Sequence, residues 1–221
     1  MRELLRTERL ALRPVSMRDH RPLLAHWTRP PVRRHLFGDA AVSAVQVTEI
    51  IAASRRDFAS LGYGLWTLRP VVGAPVVGAP AAGEPLVGDP LVGVAGLTGR
   101  DGPGAGVEIV YSLEPESWGE GLAAEASRAV LDYAFGVVGL RRVAAEIDPD
   151  SAVSMRVAER LGMRPVPDGR AGPDGASFYA ADRSGWTAAR LPAEGVDAVR
   201  PVARAVQVTA VPVTPAATSA G

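Results

Sequence analysis

Apolar and polar positions alternate over Leu10-Ala11-Leu12-Arg13, the pattern of a half-buried strand, and Pro14 ends it by removing an amide donor. Ser16 stands where a helix cap belongs, and Asp19 suits the positive end of the helix dipole, so a helix is predicted over 16–27. Pro30-Pro31 reads as a break. A second helix is predicted over 43–59, with Val45, Ile50 and Phe58 among its apolar positions, after which Gly62 and Gly64 lead into a strand, Leu65-Trp66-Thr67-Leu68. A further strand is predicted over 91–97. Val107-Glu108-Ile109-Val110-Tyr111-Ser112-Leu113 carries the clearest strand period in the chain. A helix over 121–135 follows, with Ala124, Val130, Leu131 and Ala134 free to pack, then a strand over 143–147. Ser151 or Ala152 opens another helix, which Gly162 stops, and 176–181 gives a last strand.

Between the strands at 65–68 and 91–97 the pattern changes. From Pro70 the chain repeats a five-residue unit, beginning Pro-Val-Val-Gly-Ala and ending Pro-Leu-Val-Gly-Val. A proline in every fifth position removes ladder donors, so most of this tract is predicted to be an expanded hairpin loop at about 70–90 rather than a central strand. The alternative is an extended binding arm. Beyond Trp186 the alanine, valine and proline follow no helical or strand period, which predicts a disordered tail over 186–221. One globular domain over 1–185 is the expectation.

Composition narrows the chemistry. Formal net charge is zero and no basic stripe stands out, so no nucleic-acid partner is predicted. No apolar run approaches the roughly 20 residues of a membrane span. Charges occupy the first nine residues where a leader would be apolar, so a cytoplasmic protein without a membrane partner is expected. Cysteine is absent, which excludes disulfides and thiolate nucleophiles. All 24 basic residues are arginine, and neither lysine nor asparagine occurs, so a Walker-type phosphate loop and a Schiff-base lysine are excluded. His20, His26 and His35 lack metal-ligand spacing; ordinary surface or half-buried roles are expected for them, and no metal.

The segment Trp118-Gly119-Glu120-Gly121-Leu122-Ala123 joins the clearest strand to the helix over 121–135. Glycines there let the backbone approach a phosphate, and the first amides of the helix point at it. A plain strand-to-helix turn would use the same glycines. A dinucleotide site is the rival ligand reading, since Gly119-Glu120-Gly121-Leu122-Ala123-Ala124 fits G-x-G-x-x-A. Five residues separate it from the strand, however, and too little patterned chain follows Gly162 for a doubly wound sheet.

Four segments in order resemble one family. Thr7-Glu8-Arg9-Leu10-Ala11-Leu12-Arg13-Pro14 resembles the opening strand of GNAT N-acetyltransferases of the ribosomal-protein (Rim) branch, and 108–113 followed by Pro115 resembles their fourth strand. The segment from Trp118 to Ala126 is similar to their coenzyme A loop, and that from Asp148 to Met163 to their signature fourth helix. The resemblance implies an α/β (α+β) fold: a mixed, twisted sheet of about six to seven strands flanked by about four helices, its fourth and fifth strands splayed around a pantetheine arm. It implies coenzyme A contacts from the backbone near Leu113, from the loop Trp118, Gly119, Glu120, Gly121, Leu122 and Ala123, and from Ser151. Serine at 151 departs from the family's usual asparagine, and the total lack of asparagine makes composition drift the simplest reading.

The implied chemistry is direct attack of an amine on acetyl-coenzyme A, without a covalent enzyme intermediate. That requires a base, an oxyanion donor and a proton for the leaving thiolate. Glu108 is the first candidate base, on the face opposite Val107, Ile109 and Tyr111, and Glu146 is the second; a solvated strand carboxylate is the plainer reading of Glu108. Ser154 sits where family members place a serine near the thiol. The acceptor is expected to be a small-molecule amine, an amino acid or a protein N-terminus, in a pocket drawing on Trp27, Arg33, Arg34 and His35. A monomer or a homodimer fits equally, and an acyl-coenzyme A-binding module without turnover is the alternative function.

Overall fold

Among the described residues eight strands form one sheet in the order β1-β2-β3-β4-β5-β6-β8-β7. They are β1 (Leu5–Arg6), β2 (Leu10–Pro14), β3 (Leu65–Pro70), β4 (Gly93–Gly99), β5 (Val107–Leu113), β6 (Arg142–Ile147), β7 (Arg164–Pro165) and β8 (Ser177–Asp182). The computed structural model describes residues 4–38, 40–71, 90–99, 106–148, 151–166 and 177–188. Neighbouring strands run antiparallel except β5 and β6, which are parallel.

Helices cover both faces. On one side lie α1 (His20–Thr28), α2 (Pro30–Phe37) and α3 (Ala44–Leu61), whose Leu23, Trp27, Val32, Leu36, Val47 and Ile51 pack on Leu65, Val94 and Val110. On the other side α4 (Leu122–Tyr133) and α5 (Ala152–Arg160) meet Trp66, Leu68, Ala95, Leu97, Ile109 and Tyr111 through residues such as Leu122, Val130 and Ala158. Alternation along each strand divides the residues between these two cores. Close approach of the strands also explains glycine in β4. A Cβ at Gly93 would collide with the Ser112 carbonyl, and one at Gly96 with the Gly64 carbonyl.

The strands and helices fall close to their predicted places, with informative exceptions. Pro30-Pro31 does not break the chain but starts α2, because a helix's first amides lack partners anyway and proline sacrifices none. Ser16 does cap, but over a single 3₁₀ turn, Met17–Asp19, that precedes α1; Asp19 Oδ2 accepts the Ser16 amide at 2.9 Å. In α3, Val45 is 65% exposed, and the buried face is Val47, Ile51 and Ser54. Where about four helices were implied, the described residues form six α-helices. The sixth, α6 (Arg183–Ala188), lies where disorder was expected to begin. Its Trp186 packs at a tilt against Phe135, ring centres 5.7 Å apart, and donates to Asp132 at 2.7 Å, so the packed chain reaches past 185. The repeat from 72 to 89 and the chain after 188 lie outside the described residues. The strands flanking the repeat pair antiparallel, Leu65 opposite Gly96 and Leu68 opposite Gly93, as a hairpin must.

Candidate active site

Strand β5 ends at Leu113, and a 3₁₀ turn, Pro115–Ser117, carries the chain into the glycine loop. Gly119 and Gly121 adopt φ of 88° and 73°, the left-handed region where a side chain is strained. Gly121 caps α4. The first amide of the helix with a backbone partner is that of Glu125, on the Gly121 carbonyl at 3.1 Å. The amides of Leu122, Ala123 and Ala124 precede it and fall at the positive end of the helix dipole. The half-buried Trp118 folds back so that Nε1 donates to the Leu113 carbonyl at 2.9 Å, which fixes the bend between strand and loop.

A clamp from the N-terminal segment holds the other side of this loop. Arg9 donates through NH1 to the Glu120 carbonyl at 2.8 Å and through Nε to Glu125 Oε2 at 2.7 Å; its own amide reaches Glu125 Oε1 at 3.0 Å, and the Thr7 hydroxyl donates to the same oxygen. With the Glu120 carbonyl drawn toward Arg9, the loop is held in one shape. Among the described residues the first amides of α4 have no backbone partner, and glycine leaves no side chain at 119 or 121.

Beside the loop the sheet opens. The parallel pair β5 and β6 shares a single register pair, Glu108 opposite Ala144, and the strands diverge beyond it. At the narrow end the Glu108 carboxylate replaces the missing backbone acceptor, taking the Glu146 amide at 2.9 Å. Glu108 is 4% exposed, so the plainer expectation of a solvated strand carboxylate does not hold. Glu146, the second candidate, is half-buried and meets Glu108 through its backbone.

Across the gap, Ser151 caps α5 by accepting the Ser154 amide at 3.3 Å, and its hydroxyl donates to Ser154 Oγ at 2.8 Å. Ser154 also hydrogen-bonds the Tyr111 phenol. Burial pushes that phenol above its usual range, and the bond to Ser154 partly offsets this. Ser151, Ser154 and Tyr111 thus make one buried hydroxyl chain, while Glu108 stands on the opposite face of β5 from Tyr111.

The acetyltransferase (GNAT) domain model matches residues 9–164, the span from the Arg9 clamp to the strand after α5. The chain belongs to the GNAT acetyltransferases. An uncharacterized N-acetyltransferase from Bacillus licheniformis is 25% identical over 159 residues, covering 72% of this chain and 81% of that protein. YkkB of Bacillus subtilis, an uncharacterized protein, is 47% identical over 57 residues, 26% of this chain; the match spans a third (33%) of that relative's length. A putative GNAT-family acetyltransferase from Bordetella pertussis superposes with a TM-score of 0.64 at 28% identity, covering 81% of this chain and 98% of that one.

In this acetyltransferase, sequence reasoning missed a polar cluster beside the gap. His26 is fully buried, contrary to the surface or half-buried role expected, because α1 turns it onto the same core face as Leu23 and Trp27. Its Nε2 lies 2.9 Å from Ser112 Oγ, and its Nδ1 lies 3.0 Å from Glu114 Oε1 without the alignment of a hydrogen bond. Arg29 bridges Glu114 and Glu116, with a closest approach of 2.5 Å to each. Burial pushes Glu114 up, but His26 and Arg29 outweigh it and hold its carboxyl below the usual carboxylate range. Of the residues expected in the acceptor pocket, His35 lines a cleft with Val32, Tyr111, Ser112, Leu113, Trp118 and Ala123. Trp27 instead belongs to the core, edge-on to Phe37 at 6.0 Å. Among the described residues, no group of acidic, histidine or cysteine side chains could hold a metal ion, and no helix is long and apolar enough to cross a membrane.

Proposed function

We propose that this acetyltransferase moves the acetyl group of acetyl-coenzyme A to a primary amine by direct attack within a ternary complex. The observation that carries this reading is the juxtaposition of a divergent parallel strand pair with a glycine loop opening α4. An extended amide-bearing arm fits the edge of β5 near Leu113, while a pyrophosphate fits the loop 118–123. Ser151, at the start of α5, contributes a shorter hydroxyl contact to coenzyme A.

In the proposed reaction the amine nitrogen attacks the thioester carbonyl, Glu108 takes a proton from the tetrahedral adduct, and the carbon–sulfur bond breaks. Ser154, backed by Tyr111, supplies a proton to the thiolate, and the hydroxyl is recharged from solvent. The products are an amide and free coenzyme A. The acceptor enters beside α2, where Val32 and His35 line the cleft.

A thiol-release assay with a panel of small amines, amino acids and peptide N-termini tests the reading. Thiol should appear with acetyl-coenzyme A only when an accepted amine is present. If acetyl-coenzyme A raises the melting temperature yet no amine in the panel releases thiol, the chain is a binding module and the transfer reading is wrong.

A further inference from the structure

Transfer to an amine that is protonated in water has to dispose of two protons. One must leave the ammonium before its lone pair can attack, and another leaves the tetrahedral adduct. One ends on the thiol and the other in solvent. Glu108 serves the second step in the reading above. Two positions further along the same face of β5, toward the open end of the gap, stands Ser112.

We infer that Ser112 takes the first of these protons from the acceptor ammonium and passes it to His26, with the Glu114 carboxylate beside the ring's other nitrogen; this rests on the acetyl-transfer reading. Ser112 lines the cleft between the donor loop residues Trp118 and Ala123 and the α2 residues Val32 and His35. Its Oγ lies 2.9 Å from His26 Nε2. The ionised Glu114 beside Nδ1 favours the tautomer with its proton on Nδ1, which leaves Nε2 as an acceptor. The Ser112 hydroxyl must then donate to Nε2, and its lone pairs remain for an N–H of the acceptor. In the transfer, the ammonium N–H bond breaks as a proton joins Oγ, while the original hydroxyl proton moves to Nε2. The amine is left neutral and the ring cationic.

Charge supports this direction. Among the described residues Glu114 and Glu116 both pair with Arg29, and Glu114 also lies beside His26 Nδ1, so a proton arriving on the ring is met by a neighbouring carboxylate. The route also leads out. His26 is fully buried, but the side chains of Glu114 and Arg29 are 18% and 38% exposed, so the proton can reach water behind the cleft. The elements packed on α1 carry other titratable groups: Arg33, Arg34 and His35 on α2, and Asp19 in the preceding turn, paired with Arg69 at 2.8 Å. The face of α3 that joins this core is Val47 and Ile51, which carry no charge. Within this relay Ser112 is the group that touches the acceptor, and His26 and Glu114 act through it.

Two acceptors separate this role from simple packing: an alkylamine, protonated at neutral pH, and an aromatic amine, already a free base there. His26→Gln and Ser112→Ala should lower kcat/KM for the alkylamine by about 100-fold below neutrality, the lower end of the range for acid–base groups. The loss should shrink as pH rises toward the alkylamine's own range, should be minor for the aromatic amine at every pH, and should be recovered in Ser112→Thr. Equal losses for both acceptors at all pH values overturn the relay and leave the transfer reading intact. Wild-type enzyme that releases thiol with neither acceptor overturns both. Nitrogen NMR of the wild-type imidazole needs no variant to fold: a bare Nε2 is the expected result, and a proton on Nε2 overturns the relay alone.

Discussion

Arg9 and Glu125 lie 116 residues apart in sequence and are joined by a salt bridge of 2.6 Å, NH2 to Oε2, at the rim of the glycine loop. Both side chains are largely buried, and the same guanidinium holds the Glu120 carbonyl. The bridge therefore couples the first strands of the sheet to the start of α4.

Removing Arg9 should loosen that loop and the fold together. Arg9→Ala leaves Glu125 with the Thr7 hydroxyl and a backbone amide but without its counter-charge. A cost on the order of 2 kcal/mol follows for a partly buried, charged hydrogen-bonded pair. For a domain of this size that is about 4–8 °C in melting temperature. Coenzyme A affinity should fall as well, because the Glu120 carbonyl is no longer held. Scanning calorimetry and titration calorimetry check the two halves separately, and unchanged affinity would show that the clamp serves the fold alone.

Substitution inside the loop should instead act on binding. At Gly121, φ is 73° and a Cβ would meet only Arg9 NH2, at 3.8 Å. Gly121→Asp thus strains the backbone and sets a carboxylate where a phosphate is proposed to sit, so like-charge repulsion adds to steric exclusion. Folded Gly121→Asp should show coenzyme A affinity reduced beyond easy measurement by calorimetry. Retention of wild-type affinity would remove the loop from the binding site.

How much of this was legible in the sequence depended on whether the determinant was local. The period of β5, the glycines at 119 and 121, and the start of α3 next to Ser43 are carried by neighbouring residues, and the structure has each of them close to its expected place. The structure adds a capping box there, with the Gln46 side chain accepting the Ser43 amide at 2.8 Å and Ser43 Oγ accepting the Gln46 amide at 3.2 Å. The misses are of another kind. Pro30-Pro31 has two local meanings, a break or a helix start, and packing of Val32 and Leu36 selects the second. His26 and Ser112 are 86 residues apart, and nothing near either announces the other. The place of Glu108 on its strand is legible in the sequence, but its bond to the Glu146 amide depends on where β5 and β6 separate, which only the assembled sheet decides.

That bond gives the Glu108 prediction two readouts. A general base contributes about 100- to 10,000-fold in rate, so Glu108→Gln should lower turnover at least about tenfold even if water substitutes in part. Glutamine keeps a carbonyl that can still accept the Glu146 amide, so the strand gap and coenzyme A affinity should hold. Glu108→Ala removes that acceptor and should also lower the melting temperature. A Glu108→Gln enzyme near wild-type rate beside a slow Glu146→Gln would transfer the base role to Glu146.

The last prediction concerns the proline-glycine repeat between β3 and β4. Those strands are paired from Leu65 opposite Gly96 to Leu68 opposite Gly93, and Val71 N donates to the Arg9 carbonyl at 2.9 Å, so both ends of the insertion are anchored by described backbone. Closing a flexible loop costs only about 0.6 kcal/mol more for each doubling of its length, so a long insertion between fixed ends weakens the fold little. Replacing 72–89 with a short Asn-Gly or Asp-Gly turn should therefore leave the melting temperature equal or slightly raised, with acetyl-coenzyme A turnover nearly unchanged. A binding arm predicts another outcome: the acceptor's Michaelis constant would rise sharply while coenzyme A affinity stayed the same. Steady-state kinetics with the acceptor varied distinguishes them, and we expect the inert loop, because proline and glycine at this density seldom bury enough apolar surface to fold or bind by themselves.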